Sequence, residues 1–347
     1  MNIRKFRYHK FNLPLKKPFT TSVGPITERT GFLIELIDEK GNNGFGEAVS
    51  LEDFGSDTLS FVESEISNFN PVGETLPDDF SRTPTVKSRS LQFATDQAIL
   101  QISMKRNVDI SKILNVSFRE SVKINAVMGE RKIEDNLNET DKLISSHFTT
   151  LKIKVGINKF DEELRFLKDI YNNYFDVNLR LDVNGKWTLE EAKKNIERLV
   201  NLNIQFIEQP VSDTDDLISL AKISPIPICA DESVRDYKNA LDIINTGSIK
   251  FIVIKPSLLG GIREFFDFKI FAEEKNVKLL VSSAFESAVG NSWLVMLAST
   301  FSHDFTHGLG TQSFFEKNTI ENPFPIENGK INFSLSKMKD INPGLFN

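Results

Sequence analysis

Apolar positions along the chain follow two rhythms, and the change falls near residue 115. Before it, NIRKFRYHKFNL and FLIELIDEKGNNGFGEAV read as strands. The latter contains a turn through Gly41-Asn42-Asn43-Gly44, residue types that accept the positive φ a hairpin needs. Thr58 to Phe69 and Leu91 to Met104 then carry apolar residues three and four apart, the spacing of a helix with one buried face. Strands first and helices after predict an α+β unit over residues 1–115.

From about residue 120 strand-like runs recur: VKINAV (122–127), TTLKIKV (149–155), VNLRLDV (177–183), IQFIEQ (204–209), IPICAD (226–231), KFIVIK (250–255), VKLLVS (277–282) and HDFTHGL (303–309). Amphipathic stretches separate them, at Asp161 to Tyr174, Thr188 to Leu199, Asp213 to Ile223 and Gly261 to Glu274. Strands alternating in this way with helices predict a parallel α/β barrel over residues 116–310. The competing doubly wound sheet lacks its GxGxxG fingerprint after any of these runs. Past 310 the pattern stops. Asn328-Gly329 between Ile326 and Ile331 signals a hairpin, and this tail, residues 311–347, is expected to fold back on the N-terminal unit.

Composition narrows the function. A net charge of −6 over 347 residues offers no concentrated positive face for nucleic acid or an anionic membrane. No run approaches the ~18 apolar residues of a membrane span, and MNIRKFRYHKF has no signal-peptide core, so a cytoplasmic location is expected. The single cysteine, Cys229, excludes an intramolecular disulfide and a cysteine-based zinc site, and within IPICAD it reads as buried filler. The four histidines show no metal-binding spacing, and none is given a catalytic role.

The chemistry lies at the strand ends, which in a barrel converge on one face. Lys154, Asp182, Glu208, Asp231 and Lys255 occupy the last inward positions of five consecutive strand-like runs. Carboxylates from three adjacent strands would repel one another by several kcal/mol unless a cation is shared. With no sulfur or imidazole ligand on offer, an all-oxygen set favours a hard ion, Mg²⁺ first and Mn²⁺ next. Arg180, Asp182 and Asn184 fall on one face of their run, which lets Asn184 hold a metal-bound water. Arg180 reads equally as an outer support for the metal ligands or as a structural ion pair. Lys152 shares a face with Lys154, raises the cost of charging it, and so tunes it toward a general base. Two lysines astride a metal-bound carboxylate fit proton abstraction from the adjacent carbon, with the developing enediolate held by cations.

These residues resemble the enolase superfamily, its muconate-lactonizing subgroup, and within that the o-succinylbenzoate synthases. The resemblance is carried by Lys152-Ile153-Lys154, Arg180-Leu181-Asp182-Val183-Asn184, Phe206-Ile207-Glu208-Gln209-Pro210, Ala230-Asp231-Glu232-Ser233, Ile254-Lys255-Pro256-Ser257 and Ser282-Ser283-Ala284-Phe285-Glu286-Ser287. It implies a (β/α)7β TIM-type barrel with an α+β capping domain completed by the C-terminal tail. It also implies Mg²⁺ on Asp182, Glu208 and Asp231, with Lys154 as acid/base and Lys255 opposite. The implied reaction is syn elimination of water from 2-succinyl-6-hydroxy-2,4-cyclohexadiene-1-carboxylate, a lyase step of menaquinone biosynthesis. Racemases of N-succinylamino acids and dipeptide epimerases share the constellation. The epimerases typically carry Asp-x-Asp at the eighth strand, where this chain has Thr306-His307-Gly308-Leu309-Gly310.

Candidate substrate contacts are Thr20, Ser282, Ser283 and Gly308. The loops around Thr20 to Gly24 and Ser50 to Gly55 are expected to close over the site. The expected partner is a small-molecule carboxylate, with neither nucleic acid nor membrane, and a homo-oligomer is compatible with the sequence.

Overall fold

The computed structural model of the chain describes residues 1–20, 24–128 and 133–345, with their side chains except those of Thr20, Asp53 and 133–137. The first half-buried alternation forms an antiparallel sheet in the order β1 (Ile3–Thr20), β2 (Pro25–Asp38), β3 (Asn43–Val49). Of the four residues expected to shape the β2–β3 turn, only Gly41 has positive φ, at 81°. Asp38 does the rest: its carboxylate accepts from the backbone N–H of Lys40 and Asn42 and from the Asn42 side chain.

Helices α1 (Leu59–Asn68), α2 (Arg89–Lys105) and α3 (Ile110–Ile113) follow, with Thr58, Ser88 and Asp109 capping their first turns. Helix α2 is buried nearly all round because it lies across β3. The strand's edge N–H groups are satisfied by glutamines of that helix, Phe45 N donating to Gln101 and Glu47 N to Gln97. The approach is so close that a Cβ on Gly46 would stand 1.9 Å from the Ala94 carbonyl oxygen. Gly46→Ala must therefore part strand from helix. We expect a loss of about 3 kcal/mol, read as a lower denaturant midpoint at unchanged m.

Two short strands, β4 (Ser121–Lys123) and β5 (Ala126–Met128), lead to a helix α4 (Ile133–Ser145) and then to a regular alternation. It comprises β6 (Thr150–Lys154), α5 (Phe160–Asn173), β7 (Asn178–Asp182), α6 (Leu189–Leu199), β8 (Ile204–Glu208), α7 (Thr214–Ile223), β9 (Ile228–Ala230) and α8 (Tyr237–Asn245). It continues through β10 (Phe251–Ile254), α9 (Pro256–Leu259), α10 (Ile262–Glu274), β11 (Lys278–Val281) and α11 (Ala288–Ala298). The strands from β5 to β11 form one curled parallel sheet in sequence order. The eighth expected run forms no strand. His307 and Gly308 make single parallel bridges to Ile124 and Ser282, spanning the two edges of the sheet.

Inside the curl, Phe206, Cys229, Phe251, Val253 and Leu280 pack as a separate apolar cluster with Phe305, the floor beneath the strand ends. In the tail, β12 (Ile326–Glu327) and β13 (Lys330–Asn332) turn through Asn328 and Gly329, at φ of 51° and 69°, and pair with β4. Helix α12 (Leu335–Asp340) lies on α2, where Gln101 donates to the carbonyls of Met338 and Ile341. Among the described residues no helix is long and apolar enough to cross a membrane.

Candidate active site

Strand register brings the charged side chains together. Lys154 pairs with Asp182, Asp182 with Glu208, and Glu208 with Cys229, two residues before Asp231. Side chains two apart share a face, so Lys152, Lys154, Asp182, Glu208 and Asp231 all point to the mouth of the curl, and Lys255 joins them just past β10. Each of the carboxylates is buried.

The lysines are paired unequally. The Lys152 ammonium lies 3.0 Å from Asp182 Oδ2 and donates to Glu208 Oε1 at 2.6 Å. Lys255 donates to Asp231 Oδ1 in a close contact. Burial works against the Lys152 charge, but the carboxylates of Asp182, Glu208 and Asp231 overcome it and lift its pKa well above the lysine range. Burial also raises Glu208, reinforced by Asp182 and Asp231 and opposed by Lys152, whereas Lys255 and Lys152 hold Asp231 down despite its burial. The Lys154 Nζ stands 4.6 Å from the Phe19 ring centroid, and that of Lys255 4.6 Å from the Phe54 centroid.

Among the described residues no three His, Cys, Asp or Glu side chains are gathered in a metal-holding arrangement. By donor chemistry, nevertheless, the buried oxygens of Asp182, Glu208 and Asp231 suit a hard divalent ion, and the ammonium groups against them already mark where positive charge is favoured.

The supporting residues depart from the sequence reading at one point. Asn184 is not on the strand face with Arg180 and Asp182: β7 ends at Asp182 and Asn184 adopts a left-handed φ of 50°. Its side-chain amide donates to Glu232 Oε1 at 2.9 Å. Glu232, to which the sequence reading gave no part, is pushed up to about 7, first by burial and then by Asp231 and Asp182. Gln209 was overlooked too. Its Oε1 accepts from the backbone N–H of Asp231 and of Ser233, so it fixes the Asp231 corner. A polar residue directly after two of the three acids, Gln209 after Glu208 and Glu232 after Asp231, was the available signal. Arg180 lies one layer below, donating to Gln205 and to the Thr306 carbonyl and stacking over Phe206 at 4.8 Å.

These groups open into a cavity of ≈ 310 Å³, enough for a small acid. Its lining includes the apolar Phe19, Leu51 and Phe54, with Phe285 and Phe314 packed on Phe19, and the residues Ser282, Ser283, Gly308, Gly310 and Thr311. The Thr20 side chain and residues 21–23 lie outside the described residues. Cys229 is wholly buried in the floor, its thiol raised by burial and by Glu208 and Asp231. His307 accepts from Val281 N and is stacked with His303, a packing role.

Behind the serine wall, Glu47 accepts from Ser287 N, from Gly290 N and, closely, from the Ser287 hydroxyl. Burial pushes Glu47 up to about 7. An acid raised on folding binds its proton more tightly in the native state, so its contribution is greatest below about pH 4.5 and is lost as pH rises toward 7. Glu47→Gln removes that dependence. The stability difference between variant and wild type should shift in the variant's favour by about 3 kcal/mol between pH 4.5 and 7.5, measured by denaturation at each pH.

The chain belongs to the enolase superfamily: the family described as enolase C-terminal domain-like matches residues 136–345, from before β6 to the end of the described tail. It is an enzyme of that superfamily. It is 29% identical to an L-Ala-D/L-Glu epimerase of Francisella tularensis subsp. novicida, over 80% of this chain and 82% of that protein. It is 26% identical to an o-succinylbenzoate synthase of Bacillus subtilis, over 99% and 94%. A dipeptide epimerase of Enterococcus faecalis, solved with Mg and L-Leu-L-Tyr, superposes with a TM-score of 0.82 at 23% identity, covering 96% of this chain and 98% of that one.

Proposed function

We propose that the protein is an o-succinylbenzoate synthase, a lyase that removes water from 2-succinyl-6-hydroxy-2,4-cyclohexadiene-1-carboxylate in menaquinone biosynthesis. The observation that supports this reading over its neighbours is the chemistry of the cavity lining that follows β11 and of residues 308–311. Ser282, Ser283, Gly308, Gly310 and Thr311 offer hydroxyls and backbone but no acid. A carbonyl or carboxylate tail suits these hydroxyls and backbone groups, and none of the five residues is itself an acid that would pair with an ammonium group.

In this reading Asp182, Glu208 and Asp231 hold Mg²⁺, with Mn²⁺ as a substitute, and Asn184 and Arg180 support them from outside. The ion, when bound, supplies positive charge where the substrate carboxylate becomes an enediolate. Lys154 takes the proton from the carbon bearing that carboxylate. The same proton then goes to the departing hydroxyl, so water leaves from the face the base occupies. Lys255, opposite, is the cation that stabilises the enediolate, and Lys152 holds the Asp182 and Glu208 carboxylates that it contacts. Thr20, Ser282, Ser283 and Gly308 contact the succinyl tail, and the loops at 20–24 and 50–55 exclude water. The curled sheet serves as a (β/α)7β barrel over residues 116–310, capped by 1–115 and by the tail 311–347. The substrate is a small cytoplasmic carboxylate, and neither nucleic acid nor membrane is engaged.

A second reading, racemisation of N-succinylamino acids or epimerisation of dipeptides, has two supports. One is the epimerase relative. The other is Glu139 of α4, which lines the cavity and is the acid there outside the proposed ligand set. Incubation in D₂O separates the two. A synthase leaves N-succinylamino acids and L-Ala-L-Glu unlabelled at the α-carbon, whereas an epimerase or racemase deuterates both enantiomers of its own substrate.

A further inference from the structure

We infer that Glu286 is a positioning residue which locks the Lys255 end of β10 to the hydroxyl wall of the pocket. The inference rests on the reading above only in taking Lys255 to face the substrate. Glu286 follows β11, is 1% exposed, and divides its two carboxylate oxygens between different strand ends. Oε1 accepts a close hydrogen bond from the hydroxyl of Ser257. Oε2 accepts from the Ser283 hydroxyl at 2.5 Å and from Ala284 N at 2.8 Å. Ser283 in turn accepts from the Thr311 hydroxyl at 2.8 Å, and the Glu286 carbonyl accepts from Gln312 Nε2 at 2.9 Å. The Glu286 side chain thus ties together the segments that follow β10 and β11, and through Ser283 and its own carbonyl Glu286 also reaches Thr311 and Gln312.

The bond to Ser257 gives the arrangement its functional meaning. Had Glu286 served only its own loop, Ser283 and Ala284 would be partners enough. Ser257 lies two residues beyond Lys255, in the first turn of α9, and is itself buried. No side chain caps α9, since Lys255 occupies the cap position with its ammonium on Asp231. The Ser257 hydroxyl is therefore the anchor that fixes the turn from which Lys255 projects. The nearby cation, Arg29, is likewise buried and donates to the carbonyls of Ser50 and Ala284, joining the base of the Phe54 loop to the same cluster.

Ser257→Ala, Ser283→Ala and Glu286→Gln test this in the full chain, each first compared with wild type by circular dichroism. Brief acetylation with acetic anhydride, read by peptide mass spectrometry without substrate, reports how freely Lys255 reacts, with the 86% exposed Lys112 as the internal standard. Ser257→Ala and Glu286→Gln should raise Lys255 labelling at least about threefold, and Ser283→Ala should leave it unchanged. In turnover, Ser257→Ala should lower kcat about tenfold at unchanged KM, and Ser283→Ala should raise KM about fivefold at unchanged kcat. Lys255 labelling that stays at the wild-type rate in folded Ser257→Ala overturns the inference. Wild-type enzyme that fails to dehydrate the cyclohexadiene overturns the proposed function instead, and the labelling result stands apart from it.

Discussion

Lys154→Ala is expected to lower turnover at least about a thousandfold while Mg²⁺ affinity stays within about threefold of wild type. The reasoning is positional. Asp182 and Glu208 are contacted by Lys152 and Asp231 by Lys255, so the carboxylates proposed to hold the ion keep their partners when Lys154 is shortened. What disappears is the amine at the end of β6, beside Phe19 at the cavity edge. Lys154→Arg sharpens the test. A guanidinium keeps the positive charge but does not give up its proton, so it should be as inactive as alanine if proton transfer is the role, and largely active if charge alone matters. Steady-state kinetics with isothermal titration of Mg²⁺ measures both quantities. Retained turnover with lost metal binding would contradict the assignment.

The second large effect belongs to Glu208→Gln. Glu208 sits between Asp182 and Asp231 on the sheet and is the acid that Lys152 approaches most closely, at 2.6 Å. The amide keeps the shape and one acceptor but removes the charge from the centre of the proposed ligand set. Mg²⁺ affinity should fall at least about a hundredfold, and turnover at low millimolar Mg²⁺ with it. Lys152 retains Asp182 at 3.0 Å, so the variant should fold. The Mg²⁺-induced rise in melting temperature measures the change. A folded variant with an undiminished Mg²⁺ response would remove Glu208 from the ligand set.

The strands of the curled sheet were legible because burial on both faces makes them short apolar runs, and their C-terminal charges stood out against those runs. Two helix starts were legible too: Thr188 and Asp213, which open the expected amphipathic stretches, cap the helices that follow them, whereas the stretch expected from Leu91 begins earlier, at the Ser88 cap. The eighth run misled because apolar and aromatic composition favours a strand, while only His307 and Gly308 find partners across the closing edge. Asn184 misled because alternation was carried past Asp182, where the chain turns into a left-handed conformation that asparagine tolerates. Charge pairing was the least legible feature. That Lys152 contacts two acids while Lys154 meets an aromatic ring depends on the rotation of neighbouring strands and on Phe19, more than a hundred residues away in sequence. Glu286 stood in a quoted motif, yet its tie to Ser257 is a contact between the ends of two strands, which no local pattern records.

The central claim is that this site removes water from a cyclohexadiene carboxylate to give an aromatic acid. The most direct measurement follows ultraviolet absorbance as purified protein acts on 2-succinyl-6-hydroxy-2,4-cyclohexadiene-1-carboxylate, with Mg²⁺ and with excess EDTA. The account predicts loss of the diene band and formation of 2-succinylbenzoate with Mg²⁺ alone, at a rate that Lys154→Ala abolishes. Absence of aromatic product from folded, Mg²⁺-loaded protein, together with deuterium entry at the α-carbon of a dipeptide or N-succinylamino acid, would contradict it.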